Sequence, residues 1–187
     1  MVVIPVMRLM GRDVLSGTPA GRELLSMLLR NIPDANEPTP VFLDFAGVSA
    51  ATASFLRESI LEYRRHVRGR NSNLYPVVAN ASDSIVDDLE LLLRARSDAL
   101  LCCDLLDSEN PTNVRVIGKL EPKQELTFRA VQSAREADAT TLAASSLDPD
   151  AVRASAWSNR LSGLVAKGLI AEYSHGRSKT YKVLLPH

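Results

Sequence analysis

Val41-Phe42-Leu43-Asp44-Phe45 is a run of four apolar residues around one carboxylate, and it reads as a strand buried on both faces. The breaker-rich stretch Asn31 to Pro40 precedes it. Beyond a short turn, Leu56, Ile60, Tyr63 and Val67 recur at helical spacing, and Gly69 can end that helix. The same alternation continues outward in both directions. Upstream, Val2 to Leu9 is strand-like, and Thr18 and Pro19 supply a cap and a first residue for a helix carrying Leu24, Leu25, Leu28 and Leu29. Downstream, Tyr75 to Ala79 is strand-like, Ser82 or Asp83 caps a helix with Ile85, Leu89, Leu92 and Leu93 inward, and Leu100 to Leu106 and Val114 to Ile117 close with strands. Strands alternating with helices predict an α/β domain over residues 1–117, one sheet covered by helices.

Composition excludes several classes. The 187 residues are 45% hydrophobic and 24% charged, with 22 basic and 22 acidic side chains, so the chain can bury a core and is neither disordered, collagen-like nor histone-like. No apolar run approaches the roughly 20 residues of a membrane span, and Pro5 and Arg8 interrupt the start where a signal peptide needs an apolar stretch. The sequence therefore predicts a cytoplasmic protein with no membrane partner. Zero net charge hides an asymmetry. Up to Gly118 there are 12 arginines, no lysine and 15 acidic residues, a net of −3; beyond it 5 arginines and 5 lysines face 7 acidic residues, a net of +3. Two domains are expected, with the junction near Gly118 to Pro122.

The second domain, 122–187, has another pattern. Pro122 opens a helix to about Ala137 with Phe128 and Val131 inward, Asp138 caps a short helix, and a third runs from about Ala154 to Lys167 before Gly168. Leu169 to Tyr173 and Thr180 to Leu184 alternate as two strands around His175-Gly176-Arg177. Three helices and a β-wing predict a small α+β winged helix-turn-helix. On a helical wheel Trp157, Leu161, Leu164 and Val165 share the core side, while Ser155, Asn159, Ser162, Gly163 and Ala166 face away with Arg160 on the flank. Asn pairs with an adenine edge, Arg with guanine or phosphate, and small residues allow close approach to a groove. Lys167, Arg177, Lys179 and Lys182 add a basic edge. The candidate DNA contacts are Ser155, Asn159, Arg160, Ser162, Lys167, Arg177 and Lys179. A face with one cation is equally the mark of a winged helix that packs against protein.

Both halves resemble known families. Leu43-Asp44-Phe45-Ala46-Gly47-Val48, then Ser54-Phe55-Leu56 and an amphipathic helix, resembles the strand-turn-helix signature of bacterial STAS-like domains, relatives of the anti-sigma factor antagonists. Trp157 to Ile170, with Lys167-Gly168-Leu169 before the wing, is similar to the recognition helix of bacterial winged-helix regulators. In the antagonists a serine at the helix start is phosphorylated by a partner kinase with a histidine-kinase-type ATP fold. The resemblance puts Ser54 at that place, with Thr52 where the family has an acidic residue and Phe55 where it has glycine. Ser54 is thus a candidate for regulatory phosphorylation, its other reading being an ordinary N-cap serine. The resemblances imply a bacterial transcription regulator in which a signal- or partner-sensing module is coupled to a DNA-binding one. The alternative they imply is a partner-switching adaptor whose modules both bind proteins, such as a histidine-kinase-type ATPase. A second copy of the chain is a further candidate partner.

No enzyme, cofactor or metal is expected. Cys102 and Cys103 are adjacent in an apolar run and read as small buried hydrophobes. The three histidines have no ligand-like spacing with them, and no nucleophile-base-acid set stands out. Gly17-Thr18-Pro19-Ala20-Gly21-Arg22 lacks the Lys-Ser/Thr pair of a phosphate loop. Arg64-Arg65-His66-Val67-Arg68-Gly69-Arg70 reads as a solvated helix end.

Overall fold

Five strands build the sheet of the first unit: β1 (Val2–Pro5), β3 (Thr39–Asp44), β5 (Leu74–Ala79), β6 (Ala99–Asp107) and β7 (Asn110–Gly118) lie side by side in that order. The first four are parallel and β7 returns antiparallel, giving a mixed α/β fold with a mostly parallel sheet. The computed structural model describes residues 1–70, 72–107, 110–145, 147–148, 150, 153–176 and 178–185. Its contacts divide the chain after Lys119 into two units.

Each step across the parallel strands is in the same direction, so right-handed crossovers bring their helices to one face. Register places Val41, Leu43, Val78, Leu100, Cys102 and Ile117 on that face. They pack with Leu24 and Leu28 of α2 (Gly17–Arg30), with Ile85, Leu89 and Leu93 of α5 (Asp83–Arg94), and with Phe55, Leu56, Ile60 and Val67. The last four belong to one continuous helical stretch: α3 (Ala53–Leu56), a π-helical turn Arg57–Leu61, and α4 (Glu62–Gly69). Leu56, Ile60, Tyr63 and Val67, the periodic residues of the sequence, are all buried.

Several expectations need correction. Val2 to Leu9 is not one strand: Pro5 ends it, lacking the N–H to continue a ladder, and α1 (Val6–Met10) turns Val6 and Met10 inward. The helix expected to start at Pro19 begins at Gly17, after Ser16. Two short strands that the sequence did not announce, β2 (Val14–Leu15) and β4 (Ala50–Ala51), pair in parallel. The closing hairpin is longer than predicted because Asn110, Pro111 and Thr112 continue the ladder past an irregularity in register between Cys102 and Asp104. Gly69 lies inside α4, with Arg70 at its C-cap. The arginine-rich helix end is not uniformly solvated. Arg64 is buried, donating to the Ala99 carbonyl and to the Asp98 carboxylate, and Arg68 is buried over the Tyr75 ring, donating to the carbonyls of Ser72 and Leu74. Both fasten α4 to strand starts.

Close approach of α2 and α3 depends on Gly21. A Cβ there would stand 2.7 Å from the Phe55 carbonyl oxygen and 2.9 Å from Glu58 Cβ. The same carbonyl accepts from the buried Ser59 hydroxyl at 2.7 Å, which gives it a side-chain partner where the π turn shifts the helical ladder.

In the second unit α6 (Pro122–Ala134) and α7 (Ala139–Ala144) precede α8 (Ala154–Lys167) and a hairpin, β8 (Ile170–His175) with β9 (Ser178–Val183). The first helix stops short of Ala137 because Arg135 turns to positive φ, and Ala137 then forms a bridge with Tyr181 of β9. Asp138 caps α7 as expected, accepting from the amides of Thr140 and Thr141. Gly168 ends α8 in the left-handed conformation. Phe128, Val131, Leu142, Trp157, Leu161, Leu164, Ile170 and Tyr181 are buried.

Candidate functional site

Burial fixes which way α8 presents itself. With Trp157, Leu161 and Leu164 inward, Ser155, Asn159, Ser162 and Ala166 are exposed, and this i, i+4, i+7, i+11 spacing is one continuous stripe. Asn159 makes no side-chain hydrogen bond to any described residue. Gly163 does not belong to the stripe. It is half-buried, and a Cβ there would come within 2.9 Å of Gln124 Nε2 on α6.

The cations are distributed differently from the sequence reading. Arg160 is not an exposed flank residue: its guanidinium meets Asp148 at 2.6 Å, side chains 12% and 10% exposed, and lies 5.1 Å from the Trp157 ring centroid. That guanidinium beside Asp148 holds the carboxyl below its ordinary range. Lys179 is exposed but paired with Glu172 at 2.7 Å, which raises its ammonium pKa, and Lys182 pairs with Glu136 at 3.0 Å. Lys167 is half-buried at the last position of α8. Arg177 lies outside the described residues. Arg153, which the sequence reading did not single out, stands exposed at the N-cap of α8 with no ion pair to any described residue. Its signal in the sequence was its position, directly before Ala154, where the helix was expected to start.

A second candidate lies where α2 and α3 begin. Thr52, and not Ser54, is the N-cap of α3. Its hydroxyl oxygen accepts from Gly17 N at 3.1 Å and from Phe55 N at 3.4 Å, tying the starts of the two helices together. Ser54 is half-buried at the second helical position, its Oγ 3.2 Å from Thr52 Oγ1. Beside this turn the exposed Ser49 donates to Asp13, whose carboxyl is thereby held below its ordinary range. The pair Asp13–Ser49 was invisible as a motif, since 36 residues separate the partners.

Cys102 and Cys103 are buried, and desolvation pushes the Cys103 thiol up to about 12, far from a reactive thiolate. Among the described residues no group of three His, Cys, Asp or Glu could hold a metal ion, and no helix is long and apolar enough to cross a membrane. No protein-family model, no curated protein and no solved structure matches the chain.

Proposed function

We propose that the protein is a regulatory DNA-binding protein in which a STAS-like N-terminal unit receives a signal or a partner and a C-terminal winged helix-turn-helix contacts DNA. The observation that carries this reading is the exposed stripe of α8, Ser155, Asn159, Ser162 and Ala166, on a helix that Arg153 precedes and that Gly168 delivers into a two-stranded hairpin. A helix of this kind enters a major groove with small side chains toward the bases, and the hairpin lies along the phosphates as the wing. The lysines on the hairpin are engaged with carboxylates, but exposed pairs such as Lys179–Glu172 are weak and exchange readily for phosphate. The candidate contacts that this reading keeps are Ser155, Asn159, Ser162, Lys167 and Lys179, joined by Arg153; Arg160 serves to brace the helix from behind.

The N-terminal unit supports a receiving role through the turn at Thr52 and Ser54. A phosphate on Ser54 would sit at the start of a helical stretch that continues to Gly69, where free amides favour negative charge. A kinase with a histidine-kinase-type ATP fold is the partner this reading names for it. The test is a gel shift of the full chain on random-sequence and genomic duplex pools across a salt series. Binding that weakens steadily with salt is expected, and no binding at about 50 mM salt would refute the DNA reading in favour of a partner-switching adaptor.

A further inference from the structure

We infer that the exposed middle of α8 reads an adenine through Asn159, an inference that rests on the DNA reading above. A bidentate guanine contact needs a guanidinium free to extend from the helix surface into the groove. In α8 the one arginine is Arg160, and it is withdrawn: bound to Asp148 at 2.6 Å, close over the Trp157 ring, and 12% exposed. The remaining cations stand at the two ends, Arg153 at the N-cap and Lys167 at the last helical position. Thirteen residues lie between them, a rise of about 21 Å along the helix. Between them every exposed position of the stripe is neutral.

What the middle offers then decides which bases it fits. The Asn159 amide carries one donor and one acceptor in a plane, the complement of adenine N7 and N6, and it has no hydrogen-bond partner among the described residues. Ala166 presents a methyl to the thymine methyl, while Ser155 and Ser162 fit either base pair. Nothing exposed on the stripe prefers guanine over adenine.

The full-length chain is incubated with a duplex pool randomised at its centre, at about 50 mM salt, and the bound fraction is sequenced. An adenine fixed at one position is expected, and its replacement by guanine should weaken binding about 5- to 150-fold. Asn159→Ala, a change on an exposed surface, should erase that preference. A consensus with no fixed adenine, or an adenine preference that survives in Asn159→Ala, would overturn the inference and leave the DNA reading standing. Failure of the chain to bind any duplex in the pool would overturn the DNA reading itself, and this inference with it.

Discussion

Arg160 and Asp148 form an ion pair at 2.6 Å with only 12% and 10% of their side chains exposed, so a residue whose chemistry suggests a groove contact instead anchors α8 to the segment that leads into it. The pairing keeps the Asp148 carboxyl ionised below its ordinary range. A group whose folded pKa is depressed stabilises the fold above its unfolded value, near 4, and that contribution is lost as pH falls through the folded value. Asp148→Asn should therefore lower the melting temperature at pH 7 and lose its effect as the pH drops below about 4, where the two proteins converge. Trp157, the single tryptophan, reports this unit by fluorescence. An undiminished difference between wild type and variant at pH 2 would contradict the linkage.

Gly21 and Gly69 make opposite predictions for the same substitution. Alanine at Gly21 would force its Cβ against the Phe55 carbonyl and Glu58, both on a packed helix, and should destabilise by about 1–3 kcal/mol despite the better helix propensity. At Gly69 a Cβ meets nothing within 4 Å, and alanine should be neutral or stabilising by about 0.5 kcal/mol. Urea denaturation of both variants gives the signs directly, and a neutral Gly21→Ala would show that the two helices separate easily.

The alternation of strands and helices was legible because burial on one helix face writes a 3.6-residue period: Leu56, Ile60, Tyr63 and Val67 needed no structure to be assigned inward. On α8 the same logic separated Trp157 from Asn159. What periodicity does not encode is pairing. Arg64, Arg68 and Arg160 looked like surface cations because nothing local distinguishes an arginine that reaches solvent from one that reaches a carboxylate or carbonyl 4 to 35 residues away. Gly163 was placed on the outer face by angle alone, whereas α6, brought in by the tertiary fold, takes that side of the helix. Thr52 was passed over as the cap because the resemblance gave the helix start to Ser54, although the capping bond from Phe55 N is local.

Thr52 and Ser54 should separate cleanly by mutation. Thr52→Ala removes the acceptor for two helix-start amides and should cost about 0.5–2 kcal/mol, with Thr52→Ser restoring most of it. Ser54→Ala loses one hydroxyl contact and should leave stability nearly unchanged. Ser54→Asp adds negative charge at a helix start and should also fold. Chemical denaturation of the four variants checks the ranking. If Ser54→Asp unfolds the domain, the regulatory reading of Ser54 falls, because the turn could then not accommodate a phosphate.

Glu172 competes with DNA for Lys179 if the hairpin acts as a wing. Its carboxylate lies 2.7 Å from the ammonium and raises the lysine pKa, so the pair is formed at neutral pH and must open before a phosphate can be bound. Glu172→Gln removes the competitor without shortening the side chain, and should tighten binding to any duplex at low salt. Each phosphate contact contributes about 0.9 to the slope of log affinity against log salt. Lys179→Ala should accordingly flatten that slope by about one unit and leave the sequence preference unchanged. The same loss is expected in the double variant, since Glu172→Gln can act only through the lysine it releases. A salt-titrated binding series on one duplex measures all four proteins. A slope that Lys179→Ala does not change would remove the hairpin from the DNA contact and leave α8 to carry it alone.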